Sequence, residues 1–169
     1  MNKRKIIISS ILILLTLFWI FFIFSNSQDT ASESSSKSKS VQEIVNEIIE
    51  ALGGKGNVTE YAIRKFAHLF EYAVLSVLFT ADLLSLGAIP FPLKKNRSLI
   101  WLAAIIVVSS LIATIDEAAI QNLSEGRGPS SADVGIDTLG AICGLCLSVL
   151  ILFIVSTVYS KRKSGNSSV

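Results

Sequence analysis

Arg64, Lys65, His68 and Glu71 stand at the start of one apolar stretch, Asp116 and Glu117 at the end of the next, and Asp133 and Asp137 at the start of a third. Carboxylates beside a lone imidazole are the residue types of general acid–base chemistry, so Glu71, His68, Asp116 and Glu117 are the candidate proton carriers. Arg64, Lys65 and Arg127 are the types that hold an anionic group. Charge among apolar residues of a bilayer costs on the order of several kcal/mol unless it is partnered or wetted, so the clustering itself marks a site.

On a helix beginning near Asn57, Arg64, His68, Glu71 and Leu75 recur at spacings of 4, 3 and 4, which puts the first three on one face. Glu71 then lies about 10 Å beyond Arg64 along the axis. Arg64 and Lys65 near a helix start, and Asp116 and Glu117 near a helix end, each oppose their own macrodipole. Antiparallel neighbours would resolve both conflicts by pairing those bases with those acids; the alternative is that the ions only fix the register of the bundle. Five acids (Glu71, Asp116, Glu117, Asp133, Asp137) face three bases (Arg64, Lys65, Arg127) and His68, so the surplus acid must be protonated, hydrated or ligand-bound. The spacing matches no metal-ligand pattern, and neither a metal nor another cofactor is expected.

The elements that must position these groups are membrane helices. With 51% hydrophobic residues in a chain of 169, the apolar surface exceeds what a soluble domain of this length can bury. Four apolar runs, 6–24, 61–86, 99–120 and 134–158, are each long enough to cross a hydrocarbon core of roughly 30 Å. The expected fold class is an all-α membrane protein, a bundle of four transmembrane helices. Lys3-Arg4-Lys5, Lys94-Lys95-Arg97 and Lys161-Arg162-Lys163 fall on one side of a four-span path. The positive-inside rule puts both termini (1–5 and 159–169) and the 87–98 loop in the cytoplasm, and the 25–60 and 121–133 loops outside. The first run exceeds the roughly 7 to 15 residues of a signal-peptide core, which favours an uncleaved span over a cleaved leader ending near Ser25 and Ser27.

Between the first two spans, the serine-rich stretch Ser25 to Ser40 reads as a flexible linker. Val41, Ile44, Val45, Ile48, Ile49 and Leu52 then recur at helical spacing, predicting a short extracytoplasmic amphipathic helix over 41–52. Ser40 with Glu43 would cap its start and Gly53-Gly54 its end, and it would pack over the bundle as a lid or lie in the interface. Asn57 with Glu60, and Ser130 with Asp133, make similar capping pairs. Gly140, Ala141 and Gly144 form a small-residue stripe suited to close helix contact that carries Asp137 inward. Cys143 and Cys146, a CxxC in the middle of a span, read as packing residues, and Asp82 as a snorkelling residue or cap partner. Gly126-Arg127-Gly128-Pro129 predicts a tight turn.

Taken in order, Phe24-Ser25-Asn26-Ser27-Gln28, Arg64-Lys65-Phe66-Ala67-His68 with Glu71-Tyr72, Asp116-Glu117 with Gln121, then Arg127, Asp133, Asp137 and Gly140 resemble the VanZ-like family over about residues 18–155. The resemblance implies a polytopic protein of the bacterial cell envelope, in a family named for association with resistance to the glycopeptide teicoplanin. It marks Arg64, Lys65, His68, Glu71, Asp116, Glu117, Gln121, Arg127, Asp133 and Asp137 as the family's polar positions without giving them roles. The favoured reading is a non-catalytic factor of the bacterial cytoplasmic membrane whose outer polar site meets a lipid-linked envelope precursor or a lipoglycopeptide. The alternatives are an enzyme acting on a lipid headgroup and a structural or proton-linked protein; the lipid bilayer is the expected surrounding, and nucleic acid is excluded because the basic residues are short topogenic clusters.

Overall fold

The computed structural model describes the backbone of residues 2–91 and 95–165 and the side chains of residues 2–91 and 98–161. Five α-helices account for most of it: α1 Lys3–Ser27, α2 Ala31–Ala51, α3 Glu60–Ser85, α4 Lys95–Ile115 and α5 Ser131–Gly165. A π-helical turn, Asp116–Ile120, and a 3-10 turn, Gln121–Leu123, extend α4, and no strand occurs among the described residues. Four helices, α1, α3, α4 with its extension, and α5, are long and apolar enough to cross a membrane. Their outward residues, such as Leu14, Phe21, Ile100, Leu111 and Phe153, remain exposed, as lipid-facing side chains must.

The helices alternate in direction, so the start of α1, the α3–α4 connection and the end of α5 lie at one end, where the rings of Phe91 and Tyr159 are 6.0 Å apart. Of the basic residues used for orientation, Lys94, Lys95, Arg97, Arg162 and Lys163 fall outside the described side chains. The opposite end gathers the end of α1, α2, the start of α3, the π turn and the start of α5. Two apolar clusters hold the bundle. Ile23, Tyr72, Leu75 and Ala113 pack beneath the polar end, and Ile89, Ile105 and Leu145 pack toward the other.

Helix α3 is central, and its closest neighbour is α5. A Cβ added at Gly140 would lie 2.2 Å from the Leu69 carbonyl oxygen, and one at Gly144 would lie 2.1 Å from that of Ala73. The small-residue stripe is therefore an interface within the bundle: only hydrogen fits between these backbones. Cys143 and Cys146 sit on the exposed side of the same helix with free thiols, so they are not the packing residues their setting suggested.

The segment between α1 and α3 departs from expectation. Ser25 to Ser40 is not a linker, because a single helix begins at Ala31 and the stretch from 41 is its C-terminal half. Thr30, not Ser40, caps it: the Glu33 amide donates to the Thr30 hydroxyl, and the Glu33 carboxylate accepts from the Thr30 amide at 2.9 Å. Serine is a weak helix former, but tertiary contacts override propensity here. The Ala31 amide donates to the Glu125 carbonyl, Lys37 pairs with Asp29, and Ser38 is buried. Gln42 and Asn46 bind the backbone of Val58, locking the far half to the approach to α3. Gly53, at φ +83°, supplies the left-handed stop. Val41, Ile44, Ile48 and Leu52 stay exposed while Val45 and Ile49 are half-buried, so most of the apolar stripe faces away from the bundle.

One further cap differs and one is found as expected. The start of α3 is capped by Thr59, whose hydroxyl accepts from the Ala62 amide, rather than by Asn57. Ser130 does accept from the Asp133 amide at 3.2 Å. The expected tight turn lies two residues earlier, with the Arg127 amide bonded to the Ser124 carbonyl and Gly126 at φ +74°.

Candidate functional site

Six polar residues are buried together at the end where α1, α3, the π turn and α5 converge: His68, Asp116, Glu117, Gln121, Asp133 and Asp137. His68 comes from the third turn of α3, one turn past Arg64. Asp133 and Asp137 lie one turn apart on α5, carried inward because Gly140 lets that helix approach α3. Asp116 and Glu117 are consecutive, and side chains about 100° apart on a regular α-helix do not share an inward direction. They open the π turn, and both are buried, at 0% and 1% exposed.

Each acid has a different partner. Lys65 forms an ion pair with Asp133. Asp116 accepts a 2.7 Å hydrogen bond from the Ser27 hydroxyl at the end of α1. Glu117 accepts from the Gln121 side-chain amide at 2.5 Å and from the Ser130 backbone amide at 3.0 Å, which ties the loop back onto the π turn. Glu71 accepts from Asn26 at 2.7 Å, while Trp19 donates to the Glu71 backbone carbonyl. His68 Nδ1 lies 3.2 Å from Asp137 Oδ1, yet the two are not aligned as a hydrogen bond, and both oxygens of the buried Asp137 lack a hydrogen-bond donor.

The expected pairing of the α3 bases with Asp116 and Glu117 is therefore replaced by another arrangement. Lys65 reaches α5 instead, and the two acids of the π turn are held by neutral donors from α1 and the 121–130 loop. Arg127 caps α1: its guanidinium approaches the backbone carbonyls of Asn26, Ser27 and Asp29 at 3.4 to 3.5 Å, where the helix end is electronegative. Arg64 pairs with no acid among the described residues and lies over the Tyr61 ring at 5.9 Å.

A cavity of about 140 Å³ opens beside this cluster, lined by Asn26, Ser27, Lys37, Arg64, His68 and Arg127 among others. A second, of about 180 Å³, lies across Arg64 and Arg127 and reaches Gln121 and Asp133. Helix α2 covers the first through Ser34, Lys37 and Ser38. Sequence reasoning missed Ser34, Ser38 and Asn26 as site groups, because serines and an amide carry no periodic or charge signal, and it missed Lys37 because the stretch around it reads as a linker. Asp82 was also misread. It is buried and accepts from the Thr16 hydroxyl at 2.7 Å, so it neither snorkels nor merely caps.

Against known proteins, the model of the VanZ/LLP1 family matches residues 12–154. No curated protein and no solved structure gives a significant match to the chain.

Proposed function

The chain belongs to the VanZ/LLP1 family, and from that premise we propose that its polar end receives the anionic headgroup of a lipid-linked cell-envelope precursor. The positive-inside pattern supports an extracytoplasmic site on a bacterial cytoplasmic membrane, with both termini inside. Holding such a headgroup would lower susceptibility to glycopeptides such as teicoplanin by changing how the precursor meets the drug.

The observation that carries this reading is Arg64. Its guanidinium lines both cavities without an acidic partner among the described residues, near the electropositive start of α3. A planar fork with free donors suits phosphate. Size narrows the ligand: at ~30 Å³ of liquid per water, 140 Å³ admits a few waters or one phosphate-sized group, so the drug itself does not fit inside.

The test is titration of the purified full-length protein with a polyprenyl diphosphate. Binding should saturate, and Arg64→Gln should weaken it about tenfold or more, the scale of a lost charge-assisted contact. Equal affinity in the variant would sink the reading. Teicoplanin susceptibility of cells with and without the gene, measured beside protein abundance, tests the physiological half. A second reading, acid–base chemistry on the headgroup, is favoured by His68 lying 3.2 Å from Asp137 at the cavity wall. Release of phosphate from the lipid that His68→Gln abolishes would support it.

A further inference from the structure

The buried acids outnumber the bases that reach them. Glu117, Asp133, Asp137 and Asp116 are 1%, 7%, 0% and 0% exposed, and among the described residues Lys65 is the one lysine or arginine that pairs with any of them. Ligand atoms of His68, Glu117 and Asp133 all lie within 4.8 Å of one another. Donors bound to one ion at about 2.1 Å are separated by roughly 3 Å when adjacent and 4.2 Å when opposite, so small movements would bring these three onto a single cation.

Acids in proximity do not make a site, and a separate observation points to a ligand here. Asp137 is wholly buried with neither oxygen hydrogen-bonded, and it is aimed at His68, whose Nδ1 is likewise buried and unbonded. An ionised carboxylate in that position is costly unless an opposite charge accompanies it. An imidazole whose outer nitrogen faces a carboxylate is also how a metal-binding histidine is oriented. Glu117 is prepared in the same sense, since Gln121 and the Ser130 amide fix its direction while each oxygen keeps a lone pair.

We propose that His68, Glu117 and Asp133 bind one divalent first-row cation such as Mn²⁺ or Zn²⁺, with Asp137 holding the imidazole of His68. The mixed nitrogen and oxygen donors favour these ions over Ca²⁺ and Mg²⁺, which prefer oxygen alone. Lys65 occupies one oxygen of Asp133, leaving the other for the cation. No regular ligand spacing announces the site because its members come from α3, the π turn and α5. It stands apart from the headgroup reading, and its test uses the metal alone.

The experiment is Mn²⁺ titration of the full-length protein in detergent, purified without a histidine tag and followed by electron paramagnetic resonance. One equivalent should bind, and pulsed spectra should show coupling to a single imidazole nitrogen. His68 is the chain's one histidine, so that signal identifies the ligand in the unaltered protein. His68→Gln, Glu117→Gln and Asp137→Asn should each weaken binding at least about tenfold, whereas Glu47→Gln on exposed α2 should leave it unchanged. Absence of saturable binding of Mn²⁺ and of Zn²⁺, or binding without nitrogen coupling, overturns the proposal. Should the variants fail to fold, the unaltered protein's stoichiometry and nitrogen coupling decide it.

Discussion

At one end of the bundle His68, Asp116, Glu117, Gln121, Asp133 and Asp137 are buried together, whereas toward the other Asp82 is buried with the Thr16 hydroxyl as its side-chain donor. Both places put carboxylates among apolar helices, but the supporting structure differs. Asp82 needs one contact between α1 and α3, and its second oxygen is left without a donor. The polar end draws on four helices, a π turn and a folded loop, with a cavity alongside. An isolated buried polar pair can be exchanged for apolar residues at little cost, while removing one member of a connected set leaves the others stranded. The contrast separates a local fastening from an assembled site.

The sharpest way to break the contrast is at Lys65. Lys65→Met leaves Asp133 without its base and should cost about 3 to 5 kcal/mol, read as loss of Tm in detergent and of protein in the membrane. Adding Asp133→Leu should restore much of that stability while abolishing cation binding. Restored stability with full binding would mean that the ions only fix register.

Next in size is the seam that carries Asp137 inward. Gly144→Ala should cost about 1 to 3 kcal/mol, because its methyl would meet the backbone of Ala73 rather than a movable side chain. Gly135→Ala, with nothing within 4 Å, should be neutral or slightly stabilising on the same helix. Equal effects at the two positions would contradict the close α3–α5 packing.

At the Asp82 end, Thr16→Val alone should cost about 1 to 3 kcal/mol by removing the donor to a buried acid. Thr16→Val with Asp82→Leu should return to the original stability or exceed it, and headgroup binding should be untouched. If the double variant instead lost binding, Asp82 would belong to the site.

The smallest effect concerns α2. Thr30→Ala removes the cap and should cost about 1 kcal/mol, seen as faster amide exchange in the first turn of α2. The hydrogen bonds from Thr30 hold the exposed Glu33 carboxyl below its ordinary value of 4.5. A depressed acid stabilises the fold above its unfolded value and loses that contribution as pH falls through the folded one. Protection of these amides relative to the unfolded chain at the same pH should therefore fall below about pH 4.5 in the original protein, and far less so in Glu33→Gln.

The fold was legible because its signals are local. Four apolar runs of membrane length follow from the chain, as does the small-residue stripe at Gly140 and Gly144. Helix α2 was half legible. Its apolar spacing marks the C-terminal half, but the serine half is helical because it leans on Glu125, Asp29 and the cavity beneath, contacts that no window of sequence contains.

The residue types and spacing by themselves determined an all-helical membrane protein, which of its ends is polar, and that His68 and the acids gather there. Those follow from the length of apolar runs and the alternation of helix direction. Only the tertiary structure decided who meets whom: Lys65 with Asp133, Ser27 with Asp116, Asn26 with Glu71, and Arg127 with the end of α1. The physical reason is that each partner was chosen by helix rotation and by one π turn. A single widened turn holds about one extra residue, so the side chains beyond it are rotated out of the phase that a spacing rule written for a regular helix assigns them.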